Sequence, residues 1–155
     1  MPIPERKSAL LEDMHQRPGL FRWRGSVSAA NLHAWLSEIS YPVPEDLLAL
    51  WATVGSGELF ESEEVFAPDG TADDLRNVAE DMAERGMPAG LTVFHRGTWV
   101  SAIDHTTGEL VAFNEVTVLE PYNYVEIARF ATLDEWYGHL IRAEFGERYG
   151  LVPQV

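Results

Sequence analysis

The side chains best suited to acid–base or metal chemistry are five histidines, His15, His33, His95, His105 and His139. None has a second histidine at the spacing that would place two metal ligands on one face of an element. Asp104 precedes His105 at the end of a predicted strand and forms the best local acid–histidine pair. Adjacent strand residues point to opposite faces, so the two are not expected to form a dyad directly. We favour a turn-stabilising role for His105 over an enzymatic one.

Three aspartates, Asp69, Asp73 and Asp74, resemble a calcium or magnesium cluster only superficially. Gly70 is followed by Thr71-Ala72, and no glutamate stands at the distance that an EF-hand loop requires. The serines lack a G-x-S-x-G motif, and Gly55-Ser56-Gly57 is too short to be a phosphate-binding loop. The chain has no cysteine, which excludes disulfides and thiol chemistry. We therefore predict no catalytic residue, no metal site and no cofactor.

The segment 58–74 is strongly acidic and contains no Lys or Arg, and its carboxylates are Glu58, Glu61, Glu63, Glu64, Asp69, Asp73 and Asp74. The whole chain has 25 acidic and 11 basic residues and a net charge of −14. This charge argues against nucleic-acid binding, which depends on basic residues. It is compatible with a basic protein partner, because complementary charge steers association. A solvated acidic face that only keeps the protein soluble is the alternative.

Five tryptophans fall into two groups. Trp35, Trp51 and Trp136 lie on apolar helix faces and are predicted to be core residues. Trp23 and Trp99 are equally compatible with burial and with partial exposure. An exposed tryptophan beside carboxylates is typical of an interface anchor. We therefore predict a partner-binding surface made of the seven acidic residues, with Trp99 or Phe60 as the apolar anchor.

Apolar periodicity and capping residues predict helices over 8–16, 29–39, 44–54, 73–85 and 132–146. Short strands are predicted at 20–24 and at 65–66, and alternating runs predict longer strands over 91–95, 98–103, 109–116 and 124–130. Arg96-Gly97 marks a hairpin turn, so 91–116 is predicted to be an antiparallel meander. Helices followed by a meander and a closing helix indicate the α+β class. The length of 155 residues indicates one domain.

Three stretches together resemble the SUKH superfamily, which includes fungal cell-wall regulators and bacterial immunity proteins. They are Val43-Pro44-Glu45-Asp46-Leu47 with Gly55-Ser56-Gly57, then 91–104, and then 130–136, within a similarity that covers about residues 28–142. The chain departs from the family pattern at Val54, where Asn is common, and at Thr98-Trp99, where an acidic residue is common. The resemblance implies one mainly antiparallel sheet of about six strands packed with helices. It also implies a single domain over 1–155, with 1–19 as a candidate helical extension, and protein binding rather than catalysis.

Our first hypothesis is a bacterial immunity protein that binds and neutralises a toxin, for example a basic nuclease, with carboxylates where phosphate would lie. The expected partner is a cognate toxin or another basic protein, with neither nucleic acid nor a membrane involved, and the oligomeric state is open. The alternative is a cytosolic regulatory interaction module without a toxin partner. A small hydrolase or metal-dependent enzyme that uses Asp104 and His105 ranks third. The N-terminus lacks the apolar core of a signal peptide, so a soluble cytoplasmic protein is expected.

Overall fold

The computed structural model describes residues 8–116 and 123–151. The fold is α+β, with helices packed on one antiparallel sheet, which confirms the predicted class and the single sheet. Over these described residues the sheet has seven strands, where about six were expected. The first seven residues of the predicted extension over 1–19 lie outside the described residues. Within the described ranges, no helix has the length and apolar character needed to cross a membrane.

In the part of the chain that the structure describes, four separate α-helices precede the closing one: α1 (Ala9–Gln16), α2 (Ala29–Glu38), α3 (Glu45–Thr53) and α4 (Leu75–Glu84). The closing helix, α5, has three consecutive parts, Leu133–Trp136, a π-helical Tyr137–Arg142 and Ala143–Phe145. Side-chain oxygens accept backbone N–H groups at four of the helix starts, from Ser8, Ser28, Asp74 and Thr132. These caps satisfy donors that the first helical turn leaves unpaired, which is why the helices begin there.

The strands are β1 (Phe21–Trp23), β2 (Gly57–Leu59), β3 (Glu63–Val65), β4 (Leu91–Arg96), β5 (Val100–Asp104), β6 (Leu110–Val116) and β7 (Asn123–Phe130). Each strand pairs antiparallel with the next one along the chain, so their order in the sheet is their order in the sequence. The strand that the sequence did not predict is β2, which directly follows the glycine turn at Gly55. Its three residues pair with β1 and β3, so its formation depends on segments on both sides of it.

The two faces of the sheet carry different residues, because side chains directly opposite each other on paired strands project from the same face. One cross-strand row consists of Trp23, Gly57, Val65, His95 and Ser101. Trp136 contacts His95 and Ser101, so α5 covers this face. The row one residue away consists of Arg22, Glu58, Glu64 and Arg96, and therefore lies on the face opposite α5.

Helix α1 is joined to α5 by buried polar contacts. The Asp13 side chain is 3% exposed and accepts hydrogen bonds from the Tyr137 hydroxyl (2.5 Å) and Arg142 Nε (2.8 Å). The backbone N–H of Ala9 donates to Asp134 at 2.7 Å. This part of the predicted extension, residues 9–16, is therefore packed against the rest of the domain.

The hydrophobic core lies between the sheet and the helices. Trp35, Trp51 and Trp136 are all buried, which confirms their assignment to the core. Trp35 and Trp51 meet edge to face with ring centroids 5.2 Å apart, a favourable aromatic geometry that holds α2 against α3. The predicted packing of these two helices is thus mediated by aromatic rings.

Candidate functional site

The acidic segment 58–74 divides into residues on the surface and residues that hold the fold together. Glu58 and Glu64 are half-buried cross-strand neighbours on the face opposite α5. Glu61 is exposed in the turn between β2 and β3, and Asp73 is exposed just before α4. These four carboxylates remain available to a partner.

Glu63 is fully buried, which corrects its assignment to a partner-binding surface. Its carboxylate accepts hydrogen bonds from the Thr98 backbone N–H (3.0 Å), the Ser62 hydroxyl (2.7 Å) and His95 Nε2 (3.1 Å). Burial alone raises the pKa of Glu63, but these hydrogen bonds outweigh burial, and the pKa is lowered overall. Glu63 is therefore an ionised anchor that joins the β2–β3 turn to the β4–β5 turn.

Phe60 is also buried, at 1% exposure, so its assignment as an apolar anchor for a partner is corrected as well. Its ring packs in an aromatic cluster that includes Phe21, Phe145 and Tyr149. Phe60 and Glu61 both have positive φ angles, 53° and 65°. Residues other than glycine rarely adopt this conformation, and the burial of the Phe60 ring offsets its cost.

Asp69 and Asp74 stabilise the loop that leads into α4. The Asp69 carboxylate accepts from the Thr71 hydroxyl at 2.7 Å and from the Ser56 hydroxyl at 3.2 Å. Asp74 is 4% exposed, caps α4 by accepting from the backbone N–H of Arg76 at 2.8 Å, and accepts from Gly70 N–H at 2.7 Å. The side chain of Asp74 is thus withdrawn from the predicted interface, and that of Asp69 is half-buried.

A buried chain of hydrogen bonds connects Trp136 to Glu63 through Ser101 and His95. Trp136 Nε1 donates to Ser101 Oγ at 2.9 Å, and Ser101 Oγ lies 2.8 Å from His95 Nδ1. Because an indole N–H can only donate, the simplest arrangement has the Ser101 hydroxyl donating to Nδ1 and Nε2–H donating to Glu63. Burial lowers the pKa of His95, with partial compensation from Glu63. His95 is therefore neutral, and Glu63 carries the negative charge.

The order Ser101–His95–Glu63 is that of a hydrolytic triad, but the environment is that of a core. All three side chains are fully buried, and the Ser101 hydroxyl is held between two partners. A substrate carbonyl cannot reach Ser101 in this conformation, whereas a hydrolytic serine must be exposed to its substrate. Sequence reasoning missed this network, although His95 and Ser101 stand on either side of the predicted hairpin turn.

An open groove lies beside this network, with a volume of about 740 Å³. Two buried apolar side chains, Phe66 and Val100, form part of its lining. The polar lining residues are Ser62, Glu64, Arg96, Thr98, Asn114 and Glu115. Trp99 is half-buried and also lines the groove, which resolves the choice left open by its sequence context. Since Glu63 binds Thr98, the buried anchor fixes the hairpin turn that presents Trp99.

The charges of the groove are only partly compensated within the protein. Arg96 is the cross-strand neighbour of Glu64, but its guanidinium approaches Asp81 of α4, at 4.0 Å. In the described part of the chain, Glu64 has no ion-pair partner within 4.0 Å. Burial and the charge of Glu115 raise the pKa of Tyr124, the cross-strand neighbour of Glu115. The groove thus combines aromatic surface with the carboxylates of Glu64 and Glu115, and Arg96, the cation beside Glu64, is directed towards Asp81.

Asp104 and His105 are held by different partners. Asp104 accepts from Arg129 at 2.8 Å, which is the main reason that its pKa is lowered. His105 Nε2 lies 2.7 Å from Thr92 Oγ1, and its ring stacks on Tyr41 with centroids 3.8 Å apart. Burial lowers the pKa of His105, partly offset by the charge of Asp104. These contacts join β4, β5, β7 and the α2–α3 loop, and they match the turn-stabilising role.

In residues 8–116 and 123–151, no group of three or more His, Asp or Glu side chains is arranged to hold a metal ion. The sequence matches no protein-family model and none of the curated proteins with which it was compared. The resemblance to the SUKH superfamily therefore stays a prediction from the sequence motifs.

Proposed function

We propose that this chain is a protein-binding domain and that it binds and neutralises a basic protein toxin through the groove between β3 and β6. The proposal rests on one observation: Trp99 and Glu64 both line the same open groove. A tryptophan with an exposed face supplies apolar contact area, and a carboxylate that forms no ion pair within 4.0 Å among the described residues supplies charge complementarity. Such a combination favours a protein surface that presents basic and apolar side chains together.

The net charge of −14 supports this partner class. A strongly acidic protein attracts a basic one over several ångströms and accelerates their encounter, an effect that falls as salt is added. Toxins that act on nucleic acids need basic surfaces, because their substrates carry the negative charge of phosphate groups. An acidic protein that covers such a surface competes directly with the substrate. The motif resemblance to a superfamily with immunity members points in the same direction.

Co-expression tests the proposal. The chain is expressed together with the protein encoded by the adjacent gene in its source genome, in a host that the second protein kills. We expect rescue of growth and a stable complex on size-exclusion chromatography. Failure of both rescue and complex formation contradicts the immunity role. A complex formed without any toxicity to relieve supports the regulatory interaction module instead.

Charge reversal tests the acidic surface formed by Glu64, which lines the groove, and by its cross-strand neighbour Glu58. Replacing Glu58 and Glu64 by Lys changes the net charge by +4, and so does replacing Glu144 and Glu147, which are exposed in and just after the last part of α5. We expect the first pair to slow association with the partner by about tenfold or more, because it places cations at the contact surface. The second pair is a matched control and is expected to have a much smaller effect. Equal effects from the two pairs would show that only net charge matters.

A further inference from the structure

A small apolar pocket lies between α1, α3 and the first turn of α5. It has a volume of about 130 Å³, and none of its described lining residues also lines the groove between β3 and β6. We propose that this pocket binds a small, uncharged apolar molecule of about the size of a benzene ring. The proposal concerns a second site and does not depend on the proposed toxin partner.

The walls of the pocket are formed mainly by aliphatic side chains. Leu10, Leu50 and Leu133 form its buried lining, at 2%, 5% and 3% exposure. The other apolar lining residues are Leu11, Met14, Ala49 and Val54. Leu11 is 56% exposed, the highest value among the large apolar side chains that the structure describes. A ligand beside Leu11 would remove part of this surface from water, which favours binding.

Hydrogen bonds to the start of α5 hold the pocket open. The Asp46 carboxylate, from α3, accepts the backbone N–H groups of Leu133 (2.9 Å) and Asp134 (3.0 Å). The Asp134 carboxylate accepts the backbone N–H of Ala9 in α1 at 2.7 Å. Because these bonds fix where α1 and α3 attach to α5, the two helices cannot move together to fill the space without breaking them. The pocket is therefore formed before a ligand enters, as is usual for small-molecule sites.

The polar groups at the pocket are already engaged, which sets the chemistry of the ligand. The Ser8 hydroxyl accepts from the Leu11 N–H at 3.3 Å, and the Thr53 hydroxyl donates to the Ala49 carbonyl at 2.7 Å. The two carboxylates described above bind backbone N–H groups, and their charge disfavours an anionic head group. Water gains few hydrogen bonds in an apolar pocket, and an apolar cavity of about 150 Å³ admits benzene. The site therefore suits an uncharged apolar molecule of that size.

Benzene and pyridine together test the chemistry of the site. The two rings have nearly the same shape, but the pyridine nitrogen loses its hydrogen bond to water on burial. We expect benzene to bind with a Kd of about 1 mM, so that about 10 mM benzene raises Tm by about 3–6 °C. Pyridine at the same concentration and at about pH 8, where it is uncharged, should raise Tm by less than about 1 °C. No shift with benzene, or equal shifts with the two rings, would overturn the proposal.

NMR of the side-chain methyl groups locates the bound ring. The ring current of benzene shifts the signals of adjacent methyl groups, so we expect the largest changes at Leu50 and Leu133. The methyl groups of Val100, which lines the groove, are the internal comparison and should change little. Largest changes at Val100 would place benzene in the groove and overturn the proposal.

Two matched substitutions on α3 test the pocket by filling it. Ala49 and Ala52 are both exposed, but only Ala49 lines the pocket. We expect Ala49→Leu to weaken the binding of benzene at least tenfold and Ala52→Leu to leave it unchanged. Equal affinities in the two variants would overturn the proposal. An affinity that falls as the protein concentration rises would show that a second copy of the chain covers the pocket instead, and would overturn it as well.

Discussion

The strongest prediction concerns the buried carboxylate of Glu63, which can be changed to an amide of nearly the same shape. In Glu63→Gln, an amide oxygen at the Oε1 position can still accept from His95 Nε2 and from the Thr98 N–H, but the NH₂ group then takes the Oε2 position, where the Thr98 N–H (3.1 Å) and the Ser62 hydroxyl (2.7 Å) also donate. Both groups lose the charged acceptor at Oε2: the Thr98 N–H keeps only its bond to the Oε1 position, and the Ser62 hydroxyl must rotate away or accept from the NH₂ group. Hydrogen bonds to a charged group contribute about 1.5–3 kcal/mol each, and water reaches the exposed residues Ser62 and Thr98 in part. We therefore expect a loss of about 2 kcal/mol in the free energy of unfolding.

Glu63→Ala should cost more, because it also removes one buried methylene, worth about 0.8 kcal/mol. It leaves His95 Nε2–H without an acceptor in a fully buried position, which costs about 1–3 kcal/mol. The expected total is about 3–5 kcal/mol, a large fraction of the stability of a typical domain.

Urea unfolding measures both losses, and the adjacent residue provides the control. With an m-value of about 1–3 kcal/mol/M, the amide variant should lower the midpoint by about 1 M. Glu64→Gln changes the same functional group one residue away on the half-buried side of the strand and should not destabilise the protein. If Glu63→Gln behaves like Glu64→Gln, the carboxylate does not anchor the two turns and the interpretation of the network is wrong.

Three further predictions concern the same region. Burial lowers the pKa of His95 in the folded state from 6.5, so below pH 6.5 the unfolded chain takes up a proton that the folded chain does not. The free energy of unfolding should therefore fall by about 1 kcal/mol between pH 7 and pH 5.5. Urea titrations measure this fall, and His95→Gln should make it smaller. A Cβ at Gly97 would lie 2.4 Å from the carboxylate of Glu63, so Gly97→Ala should lower the free energy of unfolding by about 1–3 kcal/mol in urea titrations. Gly138→Ala is the control: a Cβ there would have no contact within 4 Å outside its own helix backbone, and stability should not fall. Glu61 has a φ of 65°, so Glu61→Gly should raise stability by about 1 kcal/mol in chemical denaturation, and an unchanged midpoint would mean that this backbone conformation carries no strain.

Helices were predicted well because their signals are local. The predicted range 29–39 compares with Ala29–Glu38, and 44–54 compares with Glu45–Thr53. Capping residues and apolar periodicity are contained within one stretch of chain, and the packing of the domain agrees with them. Strand β2 was missed because its three residues form no alternating run of their own and are defined by their neighbours in the sheet.

The candidate site was predicted only in part, for a reason that Glu63 and Glu64 illustrate. Adjacent strand residues point to opposite faces, so one of two neighbouring glutamates must be on the helix-covered side. Which of them is buried depends on the register of β3 against β4, and a shift by one residue exchanges them. That register is set by the pairing of Val65 with His95, residues 30 positions apart, and composition does not reveal it. The acidic segment therefore contains the exposed and half-buried carboxylates of the candidate site, but it also contains Glu63 and Asp74, which are buried.

The sequential order of the strands also has a consequence for how the protein folds. From β4 onwards, every pairing joins strands that are separated by one short connection, so the C-terminal half of the sheet can form through contacts that are close in sequence. Strand β1 can pair with β2 only after a loop that contains α2 and α3 has closed. Because closing long loops costs entropy before the contacts are gained, we expect the β4–β7 meander to form early and β1 to join late. Amide hydrogen exchange should then be slowest in β5 and faster in β1.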